Sequence, residues 1–431
     1  MKRNYINVNE KGHLEFFGCD TVKLAGEFKT PLYVMSEDGI RQSCKQVREH
    51  FMDKYPNTLA LYASKAFSNI AMCKIIKEEG LGIDVVSGGE LYTACKSGFP
   101  MEKVYFHGNN KSQEEIELGI DNNVGCFVID SFHEVKLLQK IAQKKGVVVR
   151  AILRISPGIS GHTHEYISTG QLDSKFGFPI QGNVAFEAIE MVSKCENIKY
   201  SGIHCHIGSQ MFNKDVYKEA VHIMTKFMLD LKNNLGLKTE ELNMGGGFGI
   251  YYSNGDKPLE MSEFIEVIMG NIYGDCKKYS LETPRVLIEP GRWLVGENGI
   301  TLYTIGAIKE IEGIRKYVSV DGGMADNPRP ALYQAENEAI VANKADKENE
   351  DLVTIAGRCC ESGDMLIHDI KLPKMETGDI LAMLTTGAYN YSMSSNYNRL
   401  PRPAVVMLKA GNSRLVVKRE TYEDIVRNDL D

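Results

Sequence analysis

Between about residues 59 and 290 the chain alternates short apolar or β-branched runs with longer segments of helical period, and no other feature restricts the fold as strongly. The runs fall at 59–65, 82–87, 104–108, 126–131, 147–155, 200–208, 241–246 and 285–289. Amphipathic stretches such as 68–79, 90–97, 131–144, 183–195 and 214–233 lie between them. Eight strands that are apolar nearly throughout, separated by helices, describe a parallel barrel buried on both faces better than an open sheet. Polar residues fall where such a barrel keeps its chemistry. Lys65, Asp84, His107, Asp130, Arg154, His206, Gly246 and Glu289 all stand at or near the C-terminal ends of runs.

After about residue 298 the rhythm changes to short strand-like runs at 301–307, 316–320, 351–355, 379–384, 404–409 and 414–418, with few helical segments. The expected fold is therefore α/β: a TIM (β/α)8 barrel over 37–297 and an all-β domain over 298–431, joined by the N-terminal segment 1–36, where 13–17 reads as a strand. A length of 431 residues exceeds what one hydrophobic core usually supports, which also favours two domains. The segment 344–351 reads as a charged surface loop.

Charge excludes some partners. The acidic excess is 57 − 50 = 7, too mild and too scattered to predict nucleic-acid binding. The N-terminus lacks an apolar stretch of signal-peptide length and no segment is long enough to span a bilayer, so a cytoplasmic protein without a membrane partner is expected. The ten cysteines would then stay reduced. None shows Cys-x-x-Cys spacing, and Cys73, Cys95 and Cys126 read as small core residues.

Three motifs carry chemistry. Lys65 ends the run Leu61-Tyr62-Ala63-Ser64-Lys65, with small neighbours around it, and a barrel mouth can desolvate its ammonium toward the free amine that a Schiff base needs. Gly245-Gly246-Gly247-Phe248-Gly249 follows a strand and reads either as a tight turn or as a nest of backbone N–H groups for a phosphate; its spacing fits neither the dinucleotide pattern nor the P-loop. In Glu289-Pro290-Gly291-Arg292 a carboxylate leaves the buried run Val286-Leu287-Ile288 and must be paired or hold a proton donor. Facing a pyridine nitrogen, it would keep that nitrogen protonated, and Arg292 can clamp a phosphate or a carboxylate. Amine, phosphate nest and carboxylate together are the parts that hold pyridoxal 5'-phosphate.

His204-Cys205-His206-Ile207-Gly208-Ser209-Gln210 places two histidines on one strand face, half of the metal site of a barrel hydrolase. Further His and Asp ligands are not evident at other strand ends, so no metal is expected; a histidine flat on an aromatic ring, with Ser209 donating to a phosphate, suits the glycine segment better. Cys359-Cys360-Glu361-Ser362 is either a turn with incidental cysteines or a thiol placed to move a proton.

These residues resemble the fold-type III pyridoxal-phosphate decarboxylases, and most closely the diaminopimelate decarboxylase family, over nearly the whole length. The strings are Tyr62-Ala63-Ser64-Lys65-Ala66, His162-Thr163-His164-Glu165-Tyr166-Ile167 with Asp173-Ser174-Lys175-Phe176-Gly177, the His206 motif, the glycine segment, Glu289 to Arg292, Arg329-Pro330-Ala331-Leu332-Tyr333, Cys360-Glu361-Ser362 and Gly387-Ala388-Tyr389. The resemblance implies a homodimer with shared active sites, in which Lys65 bonds the cofactor aldehyde and His206 stacks on its ring. Ser209, Gly246 and Gly247 would hold its phosphate. Glu289 would contact the ring nitrogen, with Pro290, Gly291 and Arg292 beside it. Cys360, chosen over Cys359 by its place beside Glu361, would come from the partner subunit as the catalytic acid. Tyr389 would reach cofactor or substrate, and Arg292, Arg329, Tyr333 and Glu361 would bind the substrate.

Polyamine-type relatives must bind a substrate ending in a bare cation, and the resemblance suggests that they use an acidic residue near position 329. An arginine there repels ornithine or lysine and attracts a second carboxylate. The implied reaction is loss of CO2 from the D centre of meso-2,6-diaminopimelate to give L-lysine, the last step of lysine biosynthesis. The alternatives are a related basic amino-acid or polyamine-pathway decarboxylase, a non-catalytic pyridoxal-phosphate-binding paralogue and a metal-dependent barrel hydrolase. The Gly-, Ser- and Thr-rich segment 158–174 is the expected lid.

Overall fold

The computed structural model describes residues 5–159 and 174–430. The expected lid therefore lies almost wholly outside the described residues, as do the motif residues 162–167 and Asp173. The chain divides into two units: Ser43–Ile250 with Lys257–Trp293, and Met1–Gln42 with Tyr251–Asp256 and Leu294–Asp431.

The first unit is a closed eight-stranded parallel barrel. Its strands, in chain order, are Thr58–Ala63, Gly82–Val85, Val104–Phe106, Cys126–Ile129, Val149–Ser156, Ile198–His204, Glu241–Asn243 and Arg285–Ile288. Each pairs in parallel with the next, and the eighth closes on the first with Val286 opposite Thr58 and Ile288 opposite Ala60. Every apolar run of the sequence became one of these strands. Leu59, Leu61, Tyr105, Cys126, Val128, Ile152 and Leu287 fill the interior, so the barrel is a packed core and not a pore.

Local signals set the outer helices. Ser87 and Ser131 cap Gly88–Ser97 and Phe132–Lys145, and Gly98 and Gly146 end them in the left-handed conformation. Ser112 and Glu115 form a reciprocal capping box on Gln113–Asp121. At the N-terminal end of the barrel, buried Glu241 accepts from Tyr105 Oη at 2.9 Å and Arg150 Nη1 at 2.9 Å, with Arg285 3.4 Å away. This ionic plug spans the third, fifth, seventh and eighth strands. Chemistry at that end of a barrel serves stability.

The second unit is β-rich. Its main sheet runs Met365–Leu372, Asp351–Ala356, Arg315–Val320, Gly299–Ile311, Leu32–Ser36, Ala404–Lys409 and Asn412–Val417 in spatial order. The N-terminal strand Leu32–Ser36 is thus interior to the sheet, antiparallel to Gly299–Ile311 and parallel to Ala404–Lys409. Ala339–Val341 and Met365–Leu372 escape the sequence reading, as do Leu32–Ser36, Ile6–Val8 and Cys19–Asp20 nearer the N-terminus. The first has three residues, and the second is an edge strand whose exposed His368, Asp369 and Lys371 mask its alternation. All ten cysteines are free; Cys73 and Cys126 are buried, whereas Cys95 is only partly so. No helix among the described residues is long and apolar enough to cross a membrane.

Glu37 locks the N-terminal segment to the last strands. Its carboxylate, buried at 2% exposure, accepts from Arg41 (2.8 Å), Lys409 (2.8 Å) and Arg414 (2.7 Å). Burial alone would raise its pKa, but Arg414, Lys409 and Arg41 hold it at about 2. A depressed carboxyl stabilises the fold above its unfolded value and loses that contribution as pH falls through its folded one. Glu37→Gln should therefore cost about 1–2 kcal/mol at pH 7, limited by solvent screening of the half-exposed cations. In thermal melts the gap between wild type and variant should close as pH drops from about 4.5 towards 2.

Candidate active site

The sixth, seventh, eighth and third strands bring one charge and its partners together. Glu289, just past the eighth strand, is 6% exposed. Asn243 Nδ2 donates to its Oε1 at 2.7 Å, His204 Nε2 lies 3.3 Å from its Oε2, and His107 Nε2 approaches Oε1 to 3.0 Å. Burial by itself would push this carboxyl up, but the facing imidazoles of His204 and His107 hold it well below the usual carboxylate range. Burial in turn lowers His204 to about 4, so that ring is neutral; with Nε2–H turned to Glu289, its Nδ1 has no hydrogen-bond partner among the described residues. His107, His204 and Glu289 are the one cluster of potential metal ligands among the described residues. Their polar atoms already face one another.

Beside this acid stand the exits of the sixth and seventh strands. His206 accepts at Nδ1 from the Gly246 N–H at 3.2 Å, and burial, with Lys65 and Arg154 nearby, keeps its pKa well below the ordinary value. A neutral, fixed imidazole is suited to lie against an aromatic ring. Next to it Arg292 Nη2 donates to Ser209 Oγ at 3.0 Å.

The glycines prove to have a structural duty besides the one read from sequence. A Cβ on Gly246 would collide with the Glu289 carbonyl oxygen, and one on Gly247 (φ +96°) with that of Gly208. The exits of the sixth, seventh and eighth strands thus pack backbone to backbone, which only glycine permits. The Gly247 carbonyl accepts from Met211 N at 2.8 Å. Ser209 and Arg292 make a polar corner that fits a phosphate.

Lys65 lies in the 3-10 turn Ser64–Ala66 after the first strand, with its side chain exposed. Acids surround its turn. Glu90 Oε2 accepts from Ser64 Oγ at 2.7 Å and from Val86 N at 2.8 Å, so it ties the Lys65 turn to the exit of the second strand. Burial lifts Asp84 to about 6, with Glu289 and Glu90 adding to the shift and His107 and Lys65 opposing it. Sequence reading missed Glu90 because Ser87-x-x-Glu90 reads as a local helix cap. Gln210 was missed too. Its side chain clamps Ile250 at both ends, donating to the carbonyl at 2.7 Å and accepting from N–H at 3.2 Å, and nothing local signals a pairing forty residues away.

Lys65, His206, Ser209, Gly246, Gly247, Glu289, Pro290, Gly291 and Arg292 all belong to the barrel unit, and Arg329, Tyr333, Cys360, Glu361 and Tyr389 to the β-rich one. Arg329, 7% exposed, opens the helix Arg329–Tyr333 with its guanidinium 4.1 Å from the Tyr252 ring centroid. Cys360 and Glu361 are exposed, and Asn398 Oδ1 accepts from Cys360 N at 2.7 Å. Cys359 is buried, and burial together with Asp364 pushes its thiol up to about 11. Tyr389 is held at φ 61°, a region costly for a bulky side chain and concentrated at functional sites.

The family model "Pyridoxal-dependent decarboxylase, pyridoxal binding domain" matches residues 37–296. The diaminopimelate decarboxylase of Bacillus subtilis is 49% identical over 422 residues, covering 98% of this chain and 96% of that enzyme. The chain belongs to the diaminopimelate decarboxylase family. The Staphylococcus aureus diaminopimelate decarboxylase is 44% identical, covering 98% of this chain and 99% of that one. Among solved structures, the diaminopimelate decarboxylase of M. jannaschii in complex with L-lysine superposes with a TM-score of 0.93 at 36% identity, covering 99% of this chain and 98% of that one. Membership makes pyridoxal phosphate the cofactor, and the ionised acid, the neutral imidazole and the phosphate corner fit it. Gly246→Ala should displace the exit of the eighth strand and lower cofactor affinity by about tenfold or more, a loss of at least ~1.4 kcal/mol; titrating apoprotein with pyridoxal phosphate by absorbance measures it.

Proposed function

We propose that the protein decarboxylates meso-2,6-diaminopimelate to L-lysine, the last step of lysine biosynthesis, as a cytoplasmic homodimer. The observation that carries the substrate is the buried Arg329. A guanidinium presents a fork of donors matched to a carboxylate, and it repels the terminal cation of ornithine or lysine. Diaminopimelate keeps its second carboxylate at that end. Because the product is L-lysine, the surviving centre is the L one, so CO2 leaves the D centre.

When bound, pyridoxal phosphate supplies the electron sink for the electron pair left at the α-carbon as CO2 departs. The chain's residues take the remaining roles. Lys65 Nζ would hold the cofactor through its aldehyde, with water released, His206 would cover the ring, and Ser209, Gly246, Gly247 and Arg292 would hold the phosphate, with Pro290 and Gly291 shaping that corner. Glu289, kept ionised by its imidazole neighbours, would face the pyridine nitrogen and keep a proton there. Arg329, Tyr333, Glu361 and Tyr389 orient the substrate, and Cys360 delivers the proton to the reacting carbon.

Exposure supports Cys360 over Cys359 and supports its service to a partner subunit: it is exposed, while Cys359 is buried with a raised pKa. A lysine or ornithine decarboxylase is the weaker reading, since nothing at position 329 would neutralise a distal ammonium.

Three experiments test this. CO2 release should occur with meso-diaminopimelate and be at background with ornithine, arginine and lysine; comparable turnover of ornithine would refute the substrate assignment. Borohydride reduction of the holoenzyme should abolish its absorbance band and leave the label on Lys65. Mixing inactive Lys65→Ala and Cys360→Ala proteins should restore part of the activity through hybrid dimers carrying one intact site. No recovery despite demonstrated subunit exchange would place both residues in one subunit's site.

A further inference from the structure

We infer that Tyr252 is a specificity-determining positioning residue: its ring holds the Arg329 guanidinium flat, so that the fork of N–H donors is presented edge-on to the distal carboxylate of the substrate. This rests on the reading of Arg329 as the grip for that carboxylate. The guanidinium carbon lies 4.1 Å from the ring centroid, within stacking distance, and both side chains are buried, Tyr252 at 4% and Arg329 at 7% exposure. Burial strengthens the contact, because no water competes for the cation at that face.

The ring is itself held in place. Tyr252 N and Ser253 N donate to Asp256 Oδ2 at 2.9 and 3.2 Å, closing the short excursion 251–256 on itself. On either side, Tyr251 Oη donates to Glu338 at 2.8 Å and Ser253 Oγ to Glu336 at 3.0 Å. These acids follow Arg329–Tyr333 closely in the chain, so one segment anchors both the ring and the stretch that carries the arginine. An arginine side chain otherwise samples many rotamers, and one fixed in plane loses less entropy on binding a carboxylate. A substrate lacking the distal carboxylate gains nothing from this arrangement and leaves a buried cation unmatched.

The test uses holoenzyme with Tyr252 replaced by Phe, Leu or Met, alongside Arg329→Ala and the Tyr252→Leu/Arg329→Ala double variant. Tyr252→Phe keeps the ring and should stay within about twofold of wild type, whereas Tyr252→Leu and Tyr252→Met should raise KM for meso-diaminopimelate about tenfold, with kcat and the cofactor absorbance band nearly unchanged. The double variant should be no worse than Arg329→Ala alone, because the ring acts through the arginine. Should the aliphatic variants fail to fold, Phe analogues with one, two and three ring fluorines keep the shape while weakening the face of the ring. KM rising stepwise with fluorination supports the proposal, and a flat series overturns it. An Arg329→Ala that raises KM while Tyr252→Leu does not would refute the role of Tyr252 alone; an Arg329→Ala without effect on KM would refute the carboxylate grip beneath it.

Discussion

A charged carboxylate buried among the strand exits of a barrel is tolerable only if its partners arrive with it, and Glu289 makes that demand on the whole first unit. Asn243 comes from the seventh strand, His204 from the sixth and His107 from the exit of the third, while the Glu289 backbone N–H donates to the Gly245 carbonyl at 2.8 Å. If one strand slipped by a residue, its side chains would swap faces and the acid would lose a partner while staying buried, an outcome costlier than having no acid there. Closure of the barrel and assembly of this buried acid with its partners are therefore coupled.

The same economy appears in the glycines. Gly246 and Gly247 let three strand exits approach backbone to backbone, next to the Ser209–Arg292 pair carried by the loops that follow the sixth and eighth strands. Tyr217 supports the turn from behind, donating to the Gly246 carbonyl at 3.0 Å and stacking on Phe248. Packing alone thus demands glycine at both positions.

The β-rich unit carries the residues proposed to bind substrate and to move a proton. Backbone anchors fix the paired cysteines among them: Asp364 accepts from Cys359 N at 2.8 Å and Met324 N at 2.6 Å, while Asn398 accepts from Cys360 N. Adjacent thiols consequently differ. Cys359 is buried and its ionisation suppressed, and Cys360 faces outward.

Strand order, barrel architecture, the lysine, the glycine segment and the Glu289-Pro290-Gly291-Arg292 string were legible in the sequence, because apolar periodicity and glycine clustering are local signals of burial and close approach. Local pattern could not assign Glu90, which looks like a helix cap and instead anchors the Lys65 turn, nor Gln210 and Tyr252, whose partners lie far along the chain. Nor could it say that Lys65 would be exposed, that Asp84 would rise to about 6, or which of two neighbouring cysteines is reachable. Ionisation and accessibility depend on which groups meet across the barrel mouth and within the β-rich unit. Sequence alone determined the chemistry on offer; only the tertiary structure, by setting distance and solvent exclusion between residues remote in the chain, decided the charge and the partner of each group.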